Sequence, residues 1–169
     1  MGNMLYRQYP LYKGGMEIMI PSHLHMLTKE NHTSGQKARM GDTFISNYNW
    51  LSEDRRVVIN VTSGNEILQD KLLQRLQEYY DGFKAQVSEF ACLKVVKRRI
   101  NGYEYGELQY SSQMMGYEFF TIFILGSYEG REIILTQQCM ESDKKKWMPI
   151  FMNISESLRV KRKKKEEQI

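Results

Sequence analysis

Only two cysteines occur in the 169 residues, Cys92 and Cys139. Two in a chain of this size do not form a disulfide framework. Both fall in strand-like patterns, so they read as buried free thiols and not as nucleophiles. No apolar run approaches the ~20 residues that a membrane-spanning helix needs. The first ten residues are polar and rich in tyrosine, without the apolar stretch of a secretory signal. A cytoplasmic location is therefore the expectation for the chain as given. Proline is scarce, with three in all. Pro21 stops a strand, and Pro149 suits the first turn of a helix. There is no Gly-x-Ser-x-Gly, no phosphate-cradling glycine loop and no His-Glu-x-x-His. Those absences leave an enzyme only a site assembled from distant residues.

Net charge is also missing from most of the chain. The total is +4. Arg159, Lys161, Arg162, Lys163, Lys164 and Lys165 stand at the end with Glu166 and Glu167, and this tail holds the whole +4. Residues 1–158 carry 18 basic and 18 acidic side chains and are neutral. The high pI therefore belongs to a tail, which gives a nucleic-acid-binding body no support. The tail is read as frayed, a candidate electrostatic contact for an acidic partner, a membrane surface or nucleic acid.

What is present is one strong helical period. Ile67, Leu68, Leu72, Leu76, Tyr79, Tyr80, Phe83, Val87 and Phe90 recur at steps of three and four. The spacing predicts a helix over Asn65–Phe90, capped by Asn65 or Ser63 and carrying Gly82 as a local irregularity. Its stripe reads as core packing against a sheet. Before it, Met4–Tyr12, Met16–Ile20, Thr43–Trp50 and Arg56–Thr62 read as strands, with a polar loop over His23–Met40.

From Ala91 the period changes to two. Asn101-Gly102 is a hairpin signal, because both positions tolerate positive φ in a type I′ turn. Turns near Gln113–Gly116 and Tyr128–Arg131 divide the rest into strands over Tyr103–Ser112, Tyr117–Leu125 and Glu132–Met140. The Tyr117–Leu125 run is apolar on both faces, so it is expected at the centre. The four strands form an antiparallel meander. A charged connection over Ser142–Trp147 leads to a last helix from Met148, with Ile150, Phe151, Ile154 and Leu158 on one face. The fold class is α+β, one domain over residues 1–158 with a tail at 159–169.

Few residues suggest chemistry. His23 and His25 lie two apart, with His32 beyond, but no carboxylate or cysteine cluster accompanies them, and solvated loop histidines are the simpler reading. No catalytic, cofactor-binding or metal-binding residue is assigned, and no cofactor is implied. Lys97-Arg98-Arg99, with Tyr103 and Tyr105 across the hairpin, could form a basic-aromatic patch for single-stranded nucleic acid. A solvated hairpin whose charges discourage edge pairing is the plainer account.

The order of elements and a few short motifs carry a resemblance. These are Met16-Glu-Ile-Met-Ile-Pro21 after a turn, the Asn101-Gly102 hairpin, the Glu129-Gly130 turn and the closing Ile154-Ser-Glu-Ser-Leu158. Over residues 16–158 the chain resembles the PsbP-like α/β/α sandwich. That fold is shared by photosystem II PsbP, a yeast nuclear-import factor that binds Ran, and DcrB-like bacterial proteins. It is also similar to the Eag-type secretion adaptor chaperones. The His23–Met40 segment has no counterpart in that pattern. The resemblance implies a sheet with the Asn65–Phe90 helix on one face, and it implies no catalytic residues. The expected function is a non-enzymatic protein-binding module, an adaptor or chaperone that could be dimeric. Its expected surface is Tyr103, Tyr105, Tyr117 and Phe119, on the sheet face away from the long helix. The alternatives are an enzyme or metal protein using His23 and His25, and a nucleic-acid-associated protein using the basic tail.

Overall fold

The computed structural model describes residues 4–27 and 47–161. Two strands open it, β1 (Tyr6–Leu11) and β2 (Met16–Pro21), paired antiparallel across a turn. Tyr12, Lys13 and Gly14 all hold positive φ in that turn. A two-residue strand, β3 (His25–Met26), follows, then β4 (Tyr48–Leu51) and β5 (Val58–Glu66). One turn of 3₁₀ helix at Gln69–Lys71 leads into α1 (Leu72–Gln86). The meander is β6 (Ala91–Ile100), β7 (Tyr103–Met114), β8 (Tyr117–Tyr128) and β9 (Arg131–Met140). A second 3₁₀ turn at Glu141–Asp143 precedes α2 (Lys144–Glu156), and β10 (Arg159–Val160) is the last strand among the described residues.

The main sheet has the order β3-β4-β5-β9-β8-β7-β6, and every pairing is antiparallel. Asn101 and Gly102 take φ of 48° and 88°, the paired positive values that a type I′ turn requires. A smaller sheet, β1-β2-β10, stands apart.

Alternation along each strand divides the main sheet into two faces. Ile59, Val61, Phe120, Ile122, Ile124, Leu135 and Cys139 point one way and are buried with Met16, Ile18 and Ile20 of the small sheet and with Trp147, Phe151 and Ile154 of α2. Leu108, Tyr110, Phe123 and Leu125 point the other way, under Leu72 and Leu76 of α1. The α+β sandwich with a four-stranded meander thus stands as expected, with Tyr117–Tyr128 inside the sheet.

Several expectations need correction. The helix is shorter than Asn65–Phe90, because Asn65 and Glu66 complete β5 and no side chain caps α1. Ile67 reaches the core from extended chain, so its apolar phase continued the helical pattern without the helix. Phe90 does the same past the other end, as a half-buried ring on Tyr110. The last helix begins at Lys144, not Met148, and Pro149 lies inside it. Pro149 is exposed, so the carbonyl that its missing N–H would have bonded is left on the solvent side. Arg159 and Val160 are not a frayed tail but a strand on β2. Of the expected strand Thr43–Trp50, residues 43–46 lie outside the described residues. Cys139 is buried as expected, but Cys92 is exposed.

Candidate functional site

What fixes the position of α1 is a buried carboxylate. Glu132 on β9 is almost fully buried. It accepts hydrogen bonds from the Arg75 guanidinium, from the Tyr79 hydroxyl at 2.9 Å and from the Asn65 backbone N–H at 3.2 Å. Arg75 also lies over the Tyr79 ring and pairs with Glu78 at 2.7 Å. The bond to Glu132 holds the Arg75 pKa above its ordinary value, against the opposing effect of burial. Burial first, then the same carboxylate, pushes the Tyr79 hydroxyl up to about 12. Gly64 is required beside this group, since a Cβ there would collide with the Glu132 carboxylate. All the strong groups here bind one another, so the cluster reads as a structural anchor.

With α1 anchored there, its far end stops short of the sheet's end. Phe83 packs on Phe123 and Tyr110, with ring centroids 5.2 and 5.3 Å apart. Phe90 packs on Tyr110 at 5.1 Å. Beyond Ser112, which is still buried, the same face opens to solvent. The register sets Met114 opposite Tyr117, and Phe119 between Ser112 and Met140. Met114, Tyr117, Phe119 and Met140 therefore share one face by alternation. Met114 is exposed, Tyr117 is 58% exposed, and Phe119 and Met140 are half-buried. Met115, in the turn, is 88% exposed with a φ of 55°. The result is an apolar strip of sheet and turn at one corner of the molecule.

This strip contains half of the surface expected from the sequence. Tyr117 and Phe119 lie on it. Tyr103 and Tyr105 stand at the opposite end of the twelve-residue β7 and on the other face. Tyr105 is 2% exposed, packed where only Gly126 leaves room for its ring. Tyr103 is half-buried against the larger core. The four residues are not one surface. The open face is also the face that α1 occupies, not the one opposite it. The opposite face is closed by α2 and the small sheet. The methionines Met114, Met115 and Met140 went unread, the first two inside the expected turn near Gln113–Gly116 and Met140 as the last residue of an expected strand. The available signal was Met114-Met115-Gly116 in a turn, where polar residues are the rule.

The histidines are not brought together. His23 is exposed, near the Trp147 ring with centroids 5.8 Å apart, and lines an open cleft of about 440 Å³ with Asp54, Asp143 and Lys146. Asp54 there is held below the usual carboxylate range by the Ser52 hydroxyl first, at 2.6 Å, and then by the Arg56 backbone N–H. His25 is exposed on β3 and does not line the cleft. His32 lies outside the described residues. Among the described residues no three His, Cys, Asp or Glu side chains are grouped to hold a metal ion, and no helix is long and apolar enough to cross a membrane.

The basic hairpin is not simply solvated. Arg98 turns inward and pairs with the fully buried Glu107 at 2.8 Å and with Glu156 of α2 at 3.2 Å. Gln109 donates to the same Glu107 carboxylate at 3.0 Å. The Asn101 amide donates to the carbonyls of Glu156 and Leu158, seating the turn on the end of α2. Lys97 pairs with Glu104 at 3.1 Å across the hairpin. Of the basic tail, Arg159 is in β10, and Lys161 pairs with Glu17 at 3.2 Å. Arg162, Lys163, Lys164 and Lys165 lie outside the described residues.

No protein-family model and no curated protein matches this chain. Solved structures do. Cyanobacterial PsbP from Synechocystis sp. superposes with a TM-score of 0.63 at 15% identity, over 95% of both chains. This chain has the PsbP-like fold. LpqN of Mycobacterium tuberculosis, described as involved in cell envelope biogenesis, matches with a TM-score of 0.58 at 12% identity, over 93% of this chain and 92% of its own. The Ran-binding protein Mog1p of Saccharomyces cerevisiae matches at 0.55 and 8%, over 94% and 96%. Identities this low carry the PsbP-like fold and no residue roles.

Proposed function

We propose that this PsbP-like chain is a non-enzymatic protein-binding module, an adaptor or chaperone. It takes the apolar side of a partner protein's segment on Met114, Met115, Tyr117, Phe119 and Met140. One observation carries the reading: an apolar Met-Met-Gly turn stands in solvent and continues onto an open sheet face. Contiguous exposed apolar surface of this kind marks interaction sites. Methionine suits such a role, because its unbranched, polarisable side chain adapts to different partners. The fold is compatible with binding duty, since Mog1p is a Ran-binding protein.

The test is a photo-crosslinker placed at position 117, and separately at Glu53 on a distant loop, followed by reconstitution with the captured protein. The expected result is capture from position 117 only, and at least a roughly tenfold weaker complex for Tyr117→Lys with an unchanged melting temperature. Equal capture from both positions, or a complex indifferent to Tyr117→Lys, overturns the proposal.

A further inference from the structure

The two edges of the main sheet are handled very differently. Among the described residues, one edge is β3 with two residues, the usual way to blunt an edge. At the other, β6 has ten residues, no proline and one bulge between Cys92 and Lys94. It pairs with β7 on one side, and nothing pairs with its other side among the described residues. Seven of its residues are exposed, Leu93 and Val95 among them. In a hairpin closed by a two-residue turn, alternate residues bond across the ladder, and those between turn their N–H and C=O groups outward. Counting from the Ile100–Tyr103 pair that closes this hairpin, the outward set is Arg99, Lys97 and Val95.

Charge decides what fits that edge. Residues 91–100 hold Lys94, Lys97, Arg98 and Arg99 and no carboxylate. Arg98 is committed to Glu107 and Glu156, and Lys97 to Glu104. Lys94 and Arg99 have no ion pair among the described residues. A second copy laid antiparallel on β6 would set like charges against like, which disfavours self-pairing. An acidic strand meets the same charges favourably.

We infer that β6 receives an extended, acidic segment of another protein as an added strand, held by the outward backbone groups of Val95, Lys97 and Arg99 and selected by Lys94 and Arg99. The inference rests on the reading of the chain as a protein-binding module, but on a different surface. Main-chain bonding supplies affinity in this mode, and side chains supply choice.

The probe is a synthetic peptide of alternating glutamate and valine, with a lysine–valine peptide as its control. Binding is followed by fluorescence anisotropy and by amide hydrogen exchange of the wild-type protein at low salt. The expected result is binding of the glutamate peptide alone, with added protection at the Val95, Lys97 and Arg99 amides. Val95→Pro removes an outward N–H without breaking the bonds to β7, a substitution that edge strands tolerate. It should weaken the peptide about tenfold or more. Lys94→Glu with Arg99→Glu should reverse the preference toward the lysine peptide. Failure of the glutamate peptide to bind, or binding without protection of those three amides, overturns the inference. So does concentration-dependent dimerisation that Val95→Pro abolishes, because a second copy would then be the occupant. The amide measurement keeps the test decisive should Val95→Pro not fold. Tyr117→Lys should leave the peptide unaffected, so loss of the apolar strip and loss of the β6 edge are read separately.

Discussion

At the scale of single residues, burial controls the chemistry of the side chains. Cys139 faces the larger core from β9, and burial, helped by the nearby Asp143 and Glu141 carboxylates, pushes its thiol from 9.0 up to about 12. The folded protein holds that proton more tightly than the unfolded chain does. Its contribution to stability is complete below pH 9.0 and is lost as pH rises toward about 12. Tyr105 adds to the loss from 10.0 up to about 12, through burial and its neighbour Tyr103. Urea denaturation at a series of pH values should therefore show stability falling above pH 9.0. In Cys139→Ala, which starts lower at neutral pH through the small cavity, that decline should begin about one unit later, where tyrosine titrates. The residue scale is also where the sequence said least about the site. Tyr117 and Phe119 could be recognised as aromatic residues in a strand. Their separation from Tyr103 and Tyr105 already follows from the antiparallel hairpin, which sets Tyr117 against Met114 at the far end of β7, whereas the face that the helix leaves open is decided by long-range packing.

At the scale of elements, local signals set the meander and long-range packing set the helix ends. Asn101-Gly102 and Glu129-Gly130 specify their hairpins through backbone conformations that few residue pairs reach. The strand boundaries followed from them. The ends of α1 were masked because Ile67 and Phe90 kept the apolar phase in non-helical chain. The start of α2 was masked because Lys144, Lys145 and Lys146 read as a connection, although Trp147 already lies in phase with Ile150, Phe151 and Ile154. Gly82 gives a clean test of the helix. A Cβ placed there meets nothing within 4 Å, and α1 continues through it. Gly82→Ala should thus stabilise the protein by about 1 kcal/mol, seen as a higher urea midpoint with an unchanged slope. A loss of stability would overturn the reading of Gly82 as an ordinary interior position of α1.

At the scale of the whole molecule, the sheet separates two cores of unequal size. Among the described residues, twenty-two buried side chains lie on the face of α2 and the small sheet. Seven lie on the face of α1. The smaller cluster has less to lose on opening, so α1 should be the less stable layer. Native-state hydrogen exchange should show α1 amides opening at a lower free energy than those of α2 and β8. Matching values for both helices would mean that the Glu132 anchor couples α1 to the rest more strongly than its burial suggests.

The pairing of β1 and β10 with β2 has a mechanical consequence. Tyr6 stands against Pro21, and Val160 against Met16, so the two outer strands leave β2 from opposite ends. Tension between them runs along the strands and loads each ladder in shear, all rungs at once. The β10 ladder has two rungs and the β1 ladder has six. A molecule stretched between handles at Tyr6 and Val160 should yield first at β10, at low force, and pass that load to α2. The β1–β2 hairpin should survive this first event, which would leave a latch that can slip and reseat while most of the fold stays shut.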